Sequence, residues 1–205
     1  MTNESRPVTA VILAGGKARR FSGEDKGLLD LNGRPLAAWV VNRLEGHVGE
    51  ILINANRNLS AYAALGHAVV PDHLPGQPGP LAGILAAART ARYDWLLSLP
   101  CDVPFLPLDL AMRLYDHARD AGVPLVRVGD ETGTHFAIML VNRDLMSDLA
   151  TYVAGGGRQV QTWQERHPCE TLYYGEDPYA FLNINTQEDL RTAERVARRY
   201  VKVNL

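Results

Sequence analysis

The chain is short of cysteine, of net charge and of long apolar runs, and each shortage excludes something. Only two cysteines, Cys101 and Cys169, stand among 205 residues. Their separation offers no zinc framework, and two thiols do not make a disulfide scaffold. A reducing compartment suits such a chain, so the cytoplasm is the expected location. The formal net charge of −2 lacks the basic excess that a nucleic-acid or membrane surface requires, and neither partner is expected. No segment approaches the roughly 18 consecutive apolar residues of a membrane span. Residues 1–7 are polar and lack the apolar core of a secretory signal. No repeat, low-complexity tract or long linker is present. A Walker A sequence and a G-x-G-x-x-G fingerprint are both missing. So are a Ser/His/Asp set and a pair of catalytic carboxylates.

What is present suffices for a full core. A content of 46% hydrophobic and 21% charged residues fits one globular domain spanning 1–205. Apolar runs predict strands at 8–13, 51–54, 68–70 and 95–99. Helical spacing predicts helices at 36–44, 60–65, 80–91 and 108–121. Ser60 is the expected N-cap of the second helix and Gly66 its stop, while Gly122 ends the fourth. Beyond Gly122, strands are expected at 125–128 and 136–141 around a polar turn at 129–134. A helix at 145–153, a glycine break at 155–157 and a short helix at 160–166 follow. Strand-like stretches at 172–174 and 181–184 precede a last helix at 186–200, with Thr186 as N-cap and Asp189 in its first turn. This alternation predicts an α/β fold, a mostly parallel sheet flanked by helices. Such sheets bind ligands at the carboxyl ends of their strands.

The polar residues of interest fall at those ends. After the first strand, Gly15 and Gly16 let backbone N–H groups approach an anion. Lys17, Arg19, Arg20 and Lys26 then place four cations in one short loop, enough to hold a triphosphate; the other reading is a glycine turn followed by a solvated basic segment. Asp102 follows the fourth strand between Pro100 and Pro104. A carboxylate facing a cationic phosphate loop suits a Mg²⁺ ion, which usually takes one or two carboxylates plus waters and substrate phosphates; a carboxylate that simply forms the turn into the next helix is the other reading. Asn54, Asn56 and Arg57 follow the second strand and Asp72 the third. They suit hydrogen bonding to a base or ribose, and one carboxylate can accept both adjacent donors of guanine. They equally suit ordinary turns. Gly79 and Gly83 either let the chain pass close to a base or pack a helix on the sheet. Asn183 and Asn185 either help position a phosphate or metal or simply close a strand. His135 either contacts a substrate phosphate or is an ordinary strand residue. Cys101 reads as a small buried filler.

Taken together and in this order, residues 13–20, Asp25, Lys26 and Gly27, residues 54–57, Asp72, residues 79–83, residues 100–102 and residues 183–186 resemble the molybdenum cofactor guanylyltransferases. The resemblance spans nearly the whole chain. Its first loop alone is shared with the wider nucleotidyltransferases. It implies a Rossmann-like nucleotidyltransferase fold and transfer of GMP from Mg²⁺-GTP to molybdopterin, with release of pyrophosphate. By position it implies that Leu13, Ala14, Gly15, Gly16, Lys26, Asn54, Asp72 and Asp102 contact GTP. Asp102 would hold Mg²⁺, Arg20 would grip phosphates with Lys26, and Asn183 and Asn185 would lie near the acceptor. Residues 123–205 would complete the acceptor half. A monomer is expected, with cofactor-inserting proteins or molybdoenzymes as possible further partners. Phe136 and Gln187 depart from the family pattern, which has proline after the corresponding histidine and asparagine-threonine. Other outcomes of the same fold are a molybdopterin cytidylyltransferase or a sugar-phosphate nucleotidyltransferase. A GTP-binding cofactor carrier without catalysis is the alternative of a different class.

Overall fold

The computed structural model describes residues 7–14, 25–73 and 79–200. Residues Val8–Leu13 form strand β1, an apolar run interrupted only by Thr9, whose first five residues are buried. A run of that kind has no solvent-facing side, so helices must cover both faces. Around it a seven-stranded sheet is built in the order β5-β4-β1-β6-β8-β7-β9. The strands are β4 (Glu50–Asn54), β5 (Ala68–Val70), β6 (Trp95–Pro100), β7 (Leu125–Asp130), β8 (Gly133–Asn142) and β9 (Cys169–Tyr173). Only β8 runs against its neighbours β6 and β7; the other pairings are parallel. Six strands therefore end on one edge, and β8 begins there. A short β2–β3 hairpin (Asp30–Leu31, Arg34–Pro35) lies apart from the sheet.

Alternate residues of β1 enter two different cores. Val8, Ala10 and Ile12 pack with helix α1 (Leu36–Leu44) and helix α4 (Leu110–Ala121). Val11 packs on the other face with α3 (Pro80–Ala88), α5 (Met146–Ala154) and α6 (Val160–Gln164). A third cluster joins Leu31, Trp39 and Phe105 to Ile184 and to α7 (Gln187–Val196). The mostly parallel α/β architecture agrees with the sequence pattern. Gly122 adopts φ +64° and closes α4 as expected.

Several local expectations are corrected. Helix α2 spans Leu59–Ala63, and the residue before it is Asn58 at φ 49°, so Ser60 lies inside the helix and is not its cap. The Asn58 side chain is turned to another partner, described below. Helix α3 stops at Ala88, because Thr90 and Ala91 both turn back to the Ala87 carbonyl. The β7–β8 turn is tighter than the polar composition suggests, with Asp130 opposite Gly133. Residues 181–184 form no strand. Leu182 N–H closes a turn on Tyr179, and Ile184 N–H donates to the Asp102 carbonyl (3.0 Å) instead of a ladder.

Thr186 does cap α7. Its side chain accepts from Asp189 N–H, and the Asp189 carboxylate accepts from Asn185 N–H (2.9 Å) and Thr186 N–H (2.8 Å). This reciprocal box satisfies donors that the first turn leaves open. Partial burial opposes the charge on Asp189, but the Asn185 and Thr186 bonds and nearby Lys26 outweigh it and hold the carboxyl below its usual value. Its stabilising effect is thus complete above the unfolded carboxyl pKa of about 3.9 and lost as pH falls through the lower folded value. Urea denaturation should find Asp189→Asn less stable than the parent by about 1 kcal/mol at pH 7. The gap should narrow below pH about 4; a gap that stays constant to pH about 3 would contradict the assignment.

Candidate active site

The carboxyl edge of the sheet gathers the polar strand ends. At β4, the Asn54 amide donates to the Val70 carbonyl (3.0 Å) and to Asp72 Oδ1 (2.9 Å). Asn56 donates to Asp72 Oδ2 (2.7 Å) and accepts from Asp72 N–H (2.8 Å). Two amides thus fix the plane of the Asp72 carboxylate, and each oxygen keeps a further lone pair. Asn54 itself is buried and packs against helix α3 at Gly83. A Cβ at Gly83 would collide with Asn54 Oδ1 and lie 2.8 Å from Leu13 Cδ2. Close helix packing therefore accounts for Gly83. Gly79 precedes α3 at φ +81°, a conformation that favours glycine. The Ala14 N–H donates to the Asn54 carbonyl (2.8 Å), tying the end of β1 to this corner.

Lys26 occupies the centre. Its ammonium is ion-paired with Asp102 Oδ2, donates to Asn185 Oδ1 (2.6 Å) and approaches Asn183 Oδ1 at 3.4 Å. The Lys26 and Asp102 side chains are only 16% and 9% exposed. Asn183 and Asn185 thus converge on one cation without sharing a strand face: the Ile184 bond to Asp102 and the α7 cap hold them there. The other carboxylate oxygen, Asp102 Oδ1, is buried and has no hydrogen-bond partner among the described residues. Neighbouring Cys101 is also buried, and burial together with the Asp102 charge pushes its thiol well above the usual value. It remains a protonated filler.

A second network fixes the approach to Lys26. The buried Asp25 carboxylate accepts from Tyr62 Oη (2.5 Å) and from Asn58 Nδ2 (3.0 Å). Burial, then the neighbouring Cys101 and Asp25, push the Tyr62 phenol far up, so it stays a donor. Gly27 makes room for that ring: a Cβ there would stand 2.5 Å from Tyr62 Oη. The segment 54–58 therefore supports Asp72 at one end and Asp25 at the other. Sequence patterning does not reveal this link, because Tyr62 lies 37 residues from Asp25. The available signal is the tyrosine four positions after Asn58 on a short helix.

Gly15, Gly16 and Arg20, with Lys17 and Arg19, lie outside the described residues. Leu13, Ala14, Lys26, Asn54, Asp72, Asp102, Asn183 and Asn185 lie on the one edge. His135 pairs with Asp130 at the start of β8. Among the described residues no group of three or more His, Cys, Asp or Glu gathers as a metal cluster. None of their helices is long and apolar enough to cross a membrane. Tyr62→Phe keeps the ring and removes one bond to a charged acceptor. It should lower unfolding free energy by about 1.5–3 kcal/mol in urea denaturation. A loss under about 0.5 kcal/mol would show that the Asp25 contact supports little.

Comparison with known proteins shows the family and the fold. Residues 10–169 match the MobA-like NTP transferase domain. The molybdenum cofactor guanylyltransferase of Ralstonia nicotianae is 44% identical over 198 residues, covering 92% of this chain and 97% of that protein. The crystal structure of molybdopterin-guanine dinucleotide biosynthesis protein A from Archaeoglobus fulgidus superposes with a TM-score of 0.77 at 22% identity, covering 93% of this chain and 99% of that one. A Mycobacterium tuberculosis protein solved in complex with manganese gives 0.66 at 18% identity, covering 92% and 98%. Both structures share the fold. With the family match extending over most of its length, this chain belongs to the MobA-like NTP transferases.

Proposed function

We propose that this protein is a molybdenum cofactor guanylyltransferase, transferring GMP from GTP to molybdopterin. The observation that carries the proposal is the Lys26–Asp102–Asn185 centre on the same sheet edge as the amide-oriented Asp72 carboxylate. One end suits phosphate chemistry and the other suits a base with two adjacent donors. Guanine has such a pair, N1–H and the 2-amino group, whereas cytosine offers one exocyclic amine. The relatives' names agree with this choice.

The acceptor's phosphate supplies the attacking oxygen, so the protein needs no nucleophile of its own. A phosphate oxygen forms a bond to the α-phosphorus of GTP, the α–β bridging bond breaks, and pyrophosphate leaves with the electron pair. In this reading Leu13 and Ala14 flank the nucleotide, and backbone N–H groups of Gly15 and Gly16 cradle its phosphates. Arg20 and Lys26 neutralise charge that builds on the bridging oxygen. Asn54 and Asp72 hold the base, and Asn183 and Asn185 border the acceptor. A divalent cation fits the donor set: Asp102 has one buried oxygen without a partner among the described residues, and Mg²⁺ asks for few protein carboxylates when substrate phosphates complete its shell. When bound at Asp102, Mg²⁺ would screen the triphosphate and polarise the α-phosphorus. Free thiols at Cys101 and Cys169 suit work in a reducing cytoplasm.

Incubation with molybdopterin, Mg²⁺ and either GTP or CTP, followed by mass spectrometry and pyrophosphate assay, tests the proposal. A guanylylated product with GTP alone is expected; a cytidylylated product would overturn the base assignment, and no product would overturn the activity. Lys26→Ala should lower kcat/KM for GTP about 10²–10³-fold in steady-state kinetics, and unchanged kinetics would remove Lys26 from the mechanism. Asp72→Asn keeps the size of the side chain but loses the double acceptor, and with it one of the two amide bonds that orient the group. Its preference for GTP over CTP, measured as a ratio of kcat/KM, should fall at least about tenfold. An unaltered ratio would place base selection elsewhere.

A further inference from the structure

The nucleotide half of the edge leaves one well-built polar group unused, the pair His135 and Asp130. His135 Nε2 lies 2.8 Å from Asp130 Oδ2. The other oxygen of Asp130 accepts from Thr132 N–H (2.7 Å) and Thr132 Oγ1 (2.6 Å). Partial burial opposes the charge on this carboxyl, but the Thr132 and His135 bonds outweigh it and hold its pKa below the usual value. The imidazole is therefore gripped at one nitrogen by a fixed anion. Nδ1 is the nitrogen left for another partner, and the side chain is 21% exposed.

The backbone aims this ring. In a regular strand His135 would share a face with Met139 and Val141, which lie in the α3/α5 core. The ladder instead shifts register: Arg127 faces Met139, while the next residue, Val128, faces His135. Residues 136–138 bulge, and the ring is carried to the opposite face. Bulges beside functional sites re-aim side chains in this way. There His135 meets Phe181, with ring centroids 5.1 Å apart. Phe181 stands two residues before Asn183, which faces the Lys26 ammonium. The pair thus sits on the wall that carries Asn183 and Asn185, on the far side from Asp72.

Among the described residues, three cations around that wall are already engaged. Lys26 is engaged with Asp102. Arg113 lies over the Tyr174 ring and pairs with Asp109 and Glu176. Arg127 donates to Thr171 and covers Phe136. An attacking phosphate monoester is a dianion that must present one oxygen in line with the α-phosphorus, which a donor held in a fixed direction can arrange. We propose that His135 binds the terminal phosphate of the acceptor through Nδ1, with Asp130 as the positioning residue that orients the ring. The assignment rests on the guanylyltransferase proposal and names the acceptor-phosphate contact within it.

The alternative role is a hairpin staple, and kinetics separates the two. Molybdopterin is varied at saturating Mg²⁺-GTP, and GTP at saturating molybdopterin, alongside thermal unfolding. His135→Ala should raise KM for molybdopterin about tenfold or more and leave KM for GTP within about twofold. Asp130→Asn keeps an acceptor for Thr132 and removes the charge. It should give a smaller rise in the same parameter, which keeps the test decisive if His135→Ala does not fold. A lowered melting temperature with both KM values unchanged would assign the pair to structure and overturn the proposal, leaving the guanylyltransferase activity in place. Parent enzyme that makes no product would overturn the activity itself, and this assignment with it.

Discussion

The ammonium of Lys26, held between one carboxylate and two amide oxygens, is the contact on which the site depends. It draws together three stretches far apart in the chain: the turn at Lys26–Leu28, the end of β6 at Asp102, and residues 183–185. A largely buried ion pair is costly to form, because both charges leave water. Here its surroundings offset that cost. Ile184 N–H fixes the Asp102 backbone, the α7 cap fixes Asn185, and the Asp25–Tyr62 bond fixes the residue before Lys26. The backbone on either side of the pair is thus held by contacts of its own, which restricts where the cation can sit. Preorganisation of that kind is what charge stabilisation during phosphoryl transfer needs.

The sheet explains why such polar groups gather on an edge. Both faces of β1, β4 and β6 are covered by helices, so their interiors are nearly all apolar. Polar chemistry is displaced to the strand ends, where backbone leaves the ladder and side chains reach solvent. The Asp72 corner and the His135 wall lie on the same edge because β8 is the one reversed strand of the sheet: its start, not its finish, falls there.

The central strands and this edge were legible because apolar runs are hard to mistake and the interesting residues stand directly after them. The positions of Asp102 and Asp72 directly after strands put them on this edge, though position alone did not separate a ligand contact from a turn, and Thr186 stood out by its spacing to Asp189. Contacts set by tertiary structure were not legible. The Asp25–Tyr62 bond leaves no periodic trace. The bulge in β8 moves His135 across the sheet with no glycine or proline to announce it. Residues 181–184 have strand-like composition, yet their backbone turns on Tyr179 and reaches Asp102. Ser60 has the chemistry of a cap, but Asn58 in the left-handed region starts the helix two residues sooner and lends its side chain to Asp25.

A double-mutant cycle on Lys26 and Asp102, read out as unfolding free energy in urea, tests the central claim most directly. If each charge is buried for the sake of the other, Lys26→Met and Asp102→Asn should each strand an unpaired partner and destabilise the fold strongly. The double variant should then be more stable than the sum of the two losses allows, with a coupling above about 1 kcal/mol. Losses that simply add, with a coupling under about 0.5 kcal/mol, would mean that the pair is incidental and that something else organises the edge.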